Sequence, residues 1–334
     1  MQWTDVRTPR LQLNRNLDIM KNWKNTTVLF AAVLGVLFFH LANVQAQDGR
    51  QPSGAKPMTI PVGLKVKSNR APEMQQLDLN VTEDGEPQSI LSIRAVVTDS
   101  PITLAVLIQD DLVTSASNEI KPIGEWIRKL PAGSRVMVAY IKAGSLQVRQ
   151  KFTSDLDKAA RALRMPLGVA SASPYNPYVE VIEGLNRFES QPSGRRSMLL
   201  ISDGLDVARG VDSSSATQSL DLQRAINEAQ RRSVAIYSFF EPSITLNQSN
   251  NGLLIGNAQS SLERLSSETG GRAYFQGTGA PVSFDPFLKD LDDRLQKQLA
   301  VTFLSTHLKK GFHKLQIRSV TPGIELSYPS GYVR

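Results

Sequence analysis

Acidic side chains end two of the most apolar runs in the sequence. The run "LAVLIQ" stops at Asp110 and Asp111, and the run "MLLIS" stops at Asp203. A third stretch, "GVASASPYNPY", places the hydroxyls of Ser171 and Ser173 just ahead of a helical pattern. Oxygen ligands of this kind suit Mg²⁺, and such a set can leave one coordination position open for a carboxylate of a partner. The chemistry that these residues indicate is the binding of a divalent cation.

These residues come together only if the strands before them share one sheet. From residue 102 to residue 299 the sequence alternates apolar, strand-like runs with amphipathic helical patterns. The run "ITLAVLIQ" lacks polar alternation, as expected for a strand buried on both faces of a parallel sheet. We predict an α/β fold for residues 100–299: a doubly wound, mostly parallel, Rossmann-like sheet with helices on both faces. Ligands of such sheets collect at the carboxyl ends of the strands.

Two β-rich segments flank this α/β region. Residues 59–99 contain three strand-like runs, and the pair Asp84-Gly85 between the second and third is a strong hairpin signal. Residues 300–334 contain three more runs, "AVTFLST", "HKLQIRSV" and "IELSYPS". Neither segment has enough strands to bury a core alone. We therefore predict that the two antiparallel segments pair into one small β-sandwich formed from both ends of the chain.

The N-terminal residues 1–46 have the layout of a signal peptide. An uncharged apolar block, residues 28–42, follows two lysines and precedes small residues, so we predict cleavage after Ala46. Met20 is an alternative start. Residues 47–58 are polar and rich in Gly and Pro, which predicts a disordered linker. These features predict a secreted or periplasmic protein, which stays attached to a membrane only if the apolar block is retained as an anchor.

Composition narrows the function further. The chain has no cysteine, so disulfides cannot stabilise it outside the cytoplasm. The net charge of +7 is modest and forms no long basic run, which argues against a nucleic-acid partner. There are three histidines, His40, His307 and His313, and neither a G-x-S-x-G motif nor a phosphate-binding loop. We therefore predict that the protein is not an enzyme, and a hydrolase is the most distant alternative.

The order and spacing of several motifs resemble von Willebrand factor type A (VWA) domains, and within them the secreted bacterial branch called VWFA-related in Acidobacteria. The resemblance is carried by "LNVTEDGEPQSILSI", "GRRSMLLISDGLD", "ETGGRAYF" and the closing "FHKLQIRSV" to "SGYVR". It implies a metal-ion-dependent adhesion site with D-x-S-x-S after the first strand, a Thr in a middle loop and an Asp after the fourth strand. Asp203 matches that last Asp, and Ser173 would stand for the Thr.

The first motif departs from the family pattern. Its three possible registers, read as the positions of D, S and S, are Asp110-Leu112-Thr114, Asp111-Val113-Ser115 and Gln109-Asp111-Val113. Every register loses at least one oxygen ligand to a branched apolar side chain. One interpretation is a variant site for Mg²⁺, or for Ca²⁺ or Mn²⁺, formed by Asp110, Asp111, Thr114, Ser173 and Asp203. The other is a degenerate site whose carboxylates are structural.

A partner surface is predicted beside this site. In "SPYNPY", Tyr175 and Tyr178 flank Asn176, and exposed tyrosines are frequent interface anchors. The alternative is that these tyrosines pack under the next helix. The polar stretch between Phe240 and Ala258 is expected to be a flexible surface loop, with a binding loop as the alternative.

Together these features predict an extracytoplasmic protein-binding or adhesion-type VWA module with a degenerate metal site. A bound metal would accept an acidic side chain from the protein partner. The alternative is a metal-independent structural or scaffold protein of the cell envelope.

Overall fold

Two β-sheets organise the chain in this computed structural model, which describes residues 55–66, 77–96, 100–142, 144–170 and 176–334. The strands in these ranges are β1 (Lys56–Val66), β2 (Leu79–Glu83), β3 (Glu86–Ala95), β4 (Thr103–Gln109), β5 (Arg135–Lys142), β6 (Ser145–Thr153), β7 (Arg196–Ser202), β8 (Val234–Phe240), β9 (Ala273–Tyr274), β10 (Gln298–Ser305), β11 (Phe312–Ser319), β12 (Ile324–Ser327) and β13 (Gly331–Val333). The α-helices are α1 (Ile120–Arg128), α2 (Leu156–Arg161), α3 (Tyr178–Asn186), α4 (Leu220–Arg232), α5 (Ile244–Ser249), α6 (Gly252–Glu268) and α7 (Asp285–Gln296). Within the described ranges, none of these helices has the length and apolar character needed to span a membrane.

The six-stranded sheet has the doubly wound arrangement that the sequence predicts. Its strand order is β6-β5-β4-β7-β8-β9, and every neighbouring pair is parallel except β5 with β6. β4 and β8 are buried along their whole length. They are buried because α1, α2 and α7 pack on one face of the sheet, while α3, α4 and α6 pack on the other. The predicted α/β fold class is confirmed.

The two central strands, β4 and β7, form a topological switch point. The chain continues from β4 to β5 on one side and from β7 to β8 on the other. Loops that follow two such strands diverge and open a crevice at the carboxyl ends. Asp110, Asp111 and Asp203 directly follow these two strands, so the topology brings all three to the switch point.

The second sheet interleaves strands from both ends of the chain. β1 pairs with β10 and β12, while β2 pairs with β3 and β11. The predicted pairing of the two β segments is therefore present, as one antiparallel sheet of order β12-β1-β10-β3-β2-β11-β13 that curls around its own core. β1 begins at Lys56, so residues 56–58 are strand rather than linker, and residues 47–54 lie outside the described residues. Both sheets belong to one unit, Gly54–Arg334.

Short polar residues form a hairpin turn at Asp84-Gly85 and cap two helices between Phe240 and Ala258. The hairpin turn at Asp84-Gly85 is present, and both residues have the positive φ values, 51° and 90°, that such turns require. The expectation of a flexible loop between Phe240 and Ala258 is wrong, because that segment forms α5 and the start of α6. The side chains of Ser243 and Asn251 accept hydrogen bonds from backbone N–H groups of the following turns, and such caps stabilise helix starts.

A buried carboxylate links the N-terminal and C-terminal β segments within the seven-stranded sheet. Glu83, the last residue of β2, is fully buried, and its Oε1 accepts a hydrogen bond from the Tyr332 hydroxyl. Beside it, the ring of His313 lies with Nδ1 2.8 Å from Asp84 Oδ2 and Nε2 2.8 Å from the carbonyl oxygen of Lys309. Both ring nitrogens face acceptors, so both pairings are complete only when the ring carries two protons and is charged.

We expect the stability contributed by His313 to depend on pH. Burial disfavours its charged form, but the hydrogen bonds to Lys309 and Asp84 outweigh burial, so the pKa of His313 is raised. A raised folded-state pKa gives stability that is complete below the unfolded value and is lost as the pH rises through the folded value. His313→Gln should therefore cost about 1 to 2 kcal/mol at pH 5.5 and less at pH 8.5, measured by urea unfolding.

Lys309→Ala is the matched control for this prediction, since it removes the side chain but keeps the carbonyl oxygen that His313 contacts. This variant should leave the pH dependence of the free energy of unfolding unchanged. A penalty for His313→Gln that is equal at both pH values would contradict the prediction.

Candidate functional site

Gln109, the last residue of β4, links the two central strands through its side-chain amide. It is fully buried. Its Oε1 accepts hydrogen bonds from Ser202 Oγ at 2.6 Å and from the Asp203 backbone N–H at 3.1 Å. Its Nε2 donates to Asp111 Oδ1 at 2.8 Å. A neutral amide therefore joins the end of β4 to the end of β7 and uses both its donor and its acceptor.

Two carboxylates, those of Asp111 and Asp203, lie beside this amide, and both residues are buried. Oδ1 of Asp203 accepts a hydrogen bond from the Leu205 backbone N–H at 3.0 Å. Burial raises the pKa of Asp203 to about 6; the hydrogen bond with the Ser243 side chain lowers it, and the negative charge of Asp111 raises it further. The Asp203 carboxyl therefore takes up a proton at a higher pH than an exposed aspartate does.

The register that brings the polar side chains together is the one that begins at Gln109. Gln109 and Asp111 belong to the network with Asp203, and Val113 is the third member of this register. The backbone N–H of Val113 donates to the carbonyl oxygen of Pro242 at 3.1 Å. In this register the first position of the D-x-S-x-S pattern carries an amide, and the second Ser position carries a valine.

Asp110 belongs to a different set of contacts. Its Oδ1 and Oδ2 accept hydrogen bonds from Nη1 and Nη2 of Arg164 at 2.6 and 2.9 Å, and Oδ1 also accepts from the Leu167 backbone N–H at 3.0 Å. The Arg164 guanidinium lies over the Tyr140 ring, 4.0 Å from its centroid. A bidentate ion pair of this kind neutralises the carboxylate. Asp110 is therefore structural, and it fixes residues 164–168 beside the strand ends.

The remaining predicted site residues divide into two groups. Three lie outside what the structure describes: the Thr114 side chain, Ser173 and Tyr175. Asn176 and Tyr178 are described, and both are buried. Asn176 Oδ1 accepts from the Tyr178 backbone N–H at 3.1 Å, and the Tyr178 hydroxyl donates to the Gly204 carbonyl oxygen at 2.6 Å. Their burial corrects the expectation that these two side chains contact a partner.

Glu241, which the sequence analysis missed, also lies at this end of the sheet. It follows β8 directly, and it is buried. Burial raises its pKa to about 7; a hydrogen bond from Ser115 Oγ, 2.7 Å from Oε1, lowers it, and the charge of Glu119 raises it. The signal was present in "VAIYSFFE", an apolar run that stops at a carboxylate just as the runs before Asp110 and Asp203 do.

The donor set does not fit a divalent cation held as the family pattern implies. The amide nitrogen of Gln109 donates to Asp111 Oδ1, so a hydrogen-bond donor stands where a ligand oxygen would be needed. Asp110 is neutralised by Arg164. Across residues 55–334, apart from the gaps given above, no group of three or more His, Cys, Asp or Glu side chains is arranged to hold a metal. The interpretation as structural carboxylates fits these residues better.

The chain is similar to several solved structures. One is a von Willebrand factor type A protein from Catenulispora acidiphila, at 9% identity over 83% of this chain and 74% of that one, with a TM-score of 0.42. Another is an aerotolerance-related membrane protein from Bacteroides fragilis, with multiple mutations to serines, at 11% identity over 59% and 99%, with a TM-score of 0.41. A third is the manganese-loaded TRAP protein of Plasmodium vivax, at 11% identity over 78% and 100%, with a TM-score of 0.39.

No protein-family model matches the sequence, and no curated protein matches it significantly.

We expect Asp203 to destabilise the fold at high pH. The rise of its pKa from 3.8 to about 6 corresponds to a loss of up to ~3 kcal/mol in the free energy of unfolding. This loss is absent below about pH 4 and complete above about pH 6. Asp203→Asn keeps the acceptor for Leu205 and removes the buried charge. It should raise the free energy of unfolding by about 1 to 3 kcal/mol at pH 8 and change it little at pH 4, as measured by urea unfolding.

Asp212→Asn serves as the control, because Asp212 is an exposed aspartate on the segment that follows the same strand. Asp212→Asn should leave the free energy of unfolding unchanged at both pH 4 and pH 8. If Asp203→Asn changed stability equally at pH 4 and pH 8, the assignment of the titration to Asp203 would be wrong.

Proposed function

We propose that the chain is an extracytoplasmic, non-enzymatic protein-binding module of the VWA type. In this proposal the partner binds at the carboxyl end of the six-stranded sheet, without a metal ion. The VWA type is supported by the motif resemblance and by the switch point between β4 and β7. The observation that carries the metal-independent mode is the Gln109 amide, which bonds to Ser202, Asp203 and Asp111 and so satisfies the strand ends by itself.

Exposed apolar side chains surround the same end of the sheet. Met165, Leu167 and Val169 are 65%, 51% and 69% exposed, and the contacts of Asp110 hold their segment beside the switch point. Two more exposed side chains follow β7 and β8 in sequence, and the apolar rim therefore comprises Met165, Leu167, Val169, Val211 and Leu253. Exposed apolar patches are typical of interaction sites, and we propose that these side chains form one. The apolar rim is the proposed contact surface.

The described contacts support binding rather than catalysis. Ser202 directly precedes the strand-end carboxylate of Asp203 in sequence, and its Oγ donates to Gln109 and accepts from the Gly204 N–H at 2.9 Å. His307 and His313 contact Glu83 and Asp84 in the seven-stranded sheet instead. The hydroxyl is thus used in the strand-end network. The extracytoplasmic location rests on the signal-like residues 1–46, which lie outside the described residues.

Site-specific photo-crosslinking in the native cells tests the partner surface. We expect a benzoylphenylalanine placed at Leu167 to capture a partner of defined mass, because this position lies on the apolar rim. The same group at Val320, an exposed apolar residue after β11, is the control and should capture none. Loss of the adduct on Met165→Asp would confirm the rim as the contact. Equal capture from Leu167 and Val320 would contradict the proposal.

Metal titration tests the metal-independent mode separately. We expect about 10 mM Mg²⁺, Mn²⁺ or Ca²⁺ to leave the melting temperature of the wild type unchanged, because Gln109 offers no carboxylate and Val113 no hydroxyl. The double variant Gln109→Asp/Val113→Ser should lose stability without metal and regain it with Mg²⁺. Stabilisation of the wild type that disappears in Asp203→Ala would instead establish a metal site. The crosslink at Leu167 should likewise persist in EDTA.

A further inference from the structure

A cavity of about 910 Å³ lies between the outer edge of the six-stranded sheet and the seven-stranded sheet. Residues 271–275, which contain β9, line one side, and β12 with the residues after it lines another. Residues of α6, α7 and β11 complete the lining. Ligand sites in proteins have volumes of about 300 to 1,000 Å³. The cavity is therefore large enough for several residues of an extended chain.

The side formed by β9 is an open strand edge. β9 pairs with β8 through Ser238, whose backbone N–H donates to the Arg272 carbonyl oxygen at 3.0 Å. Because hydrogen-bonding groups alternate in direction along a strand, the N–H and C=O of Ala273 are directed to the outer edge, away from β8. In the part of the chain that the structure describes, no strand pairs with that edge; an isolated bridge between Thr269 and Pro329 lies just before it.

Positive charge is in excess beside this edge, around Asp290. Its carboxylate lies 2.7 Å from Arg294 Nε, 3.2 Å from Lys65 Nζ and 3.9 Å from Arg272 Nη1, and it accepts a hydrogen bond from the Tyr274 hydroxyl at 2.9 Å. Burial raises the pKa of Asp290, but these neighbours outweigh burial and hold it at about 2. One carboxylate therefore faces three cations.

Two of these cations line the cavity. The Arg272 side chain is 41% exposed, whereas that of Arg294 is 6% exposed and its Nη2 has no hydrogen-bond partner among the described residues. Glu263 and Glu325 also line the cavity, so the positive excess is local to Asp290. Phe275, 42% exposed, adds apolar surface next to the strand edge. A ligand that fits has a carboxylate, backbone hydrogen-bonding groups and an apolar side chain.

We propose that this cavity binds an extended acidic peptide segment of a partner protein. The segment adds as a strand to the outer edge of β9, with backbone hydrogen bonds to Ala273, a carboxylate on Arg272 and an apolar side chain on Phe275. Addition of a strand to a free sheet edge is a recurring mode of peptide recognition. None of the residues that line the cavity belongs to the apolar rim. The inference therefore goes beyond the function proposed above and does not depend on it.

The probe is the peptide acetyl-TVEVT-amide, which has one carboxylate, and acetyl-TVQVT-amide is its neutral counterpart. We expect the acidic peptide to shift the backbone amide NMR signals of residues 271–275 and to bind at least about fivefold more tightly than the neutral one, since only its carboxylate pairs with Arg272. No shift at residues 271–275 at about 5 mM peptide, or equal affinity for both peptides, would overturn the proposal.

Two variants test the groups that the proposal uses. Ala273→Pro removes the outward N–H, and proline is tolerated at strand edges. Arg272→Ala removes the exposed cation. Each should weaken binding of the acidic peptide by about fivefold or more, whereas Arg187→Ala, an exposed arginine just after α3, should not. If Arg272→Ala bound the peptide as tightly as the wild type, the proposal would fail, whether or not Ala273→Pro folds.

Discussion

The polar groups at the ends of β4 and β7 have to be paired in a place that water does not reach, and the Gln109 amide is what pairs them. Buried polar groups are costly unless they are hydrogen-bonded, and a buried charge costs more. A carboxylate at this position would place a third negative charge beside Asp111 and Asp203 and would need a cation to balance it. The neutral amide removes that need, because it accepts from Ser202 and donates to Asp111. The strand ends can therefore be stable without metal.

Neighbouring carboxylates acquire different roles here because they follow a strand. Asp110 and Asp111 are adjacent in the turn that follows β4, and their side chains make separate contacts. Asp111 joins the network at the switch point, whereas Asp110 pairs with Arg164 and positions the segment that carries part of the apolar rim. Asp111 therefore lies in the network at the strand ends, and Asp110 holds the neighbouring loop in place. The same short stretch thus shapes both the inside and the border of the proposed contact surface.

Sequence reasoning identified the sheet and the strand ends because both depend on local patterns. The unbroken apolar runs of β4, β7 and β8 predict buried parallel strands, and Asp84-Gly85 predicts the hairpin. It left the three registers open, since the hydrogen bonds that Gln109 Oε1 accepts come from residues more than ninety positions away. The length and polarity of the Phe240 to Ala258 segment favour a loop, and its capping residues, Ser243 and Asn251, are as typical of turns as of helix starts.

The interleaved sheet has a consequence for the order of folding. β1 lies between β10 and β12, and Glu83 receives its hydrogen bond from Tyr332, 249 residues later in the sequence. The α/β domain is assembled from strands within residues 103–274, so its contacts become available while the chain is still being made. The seven-stranded sheet becomes available only after β10 to β13 have emerged. Contacts this distant slow folding, and until they form β1 is an unpaired strand that a chaperone or a second copy could occupy.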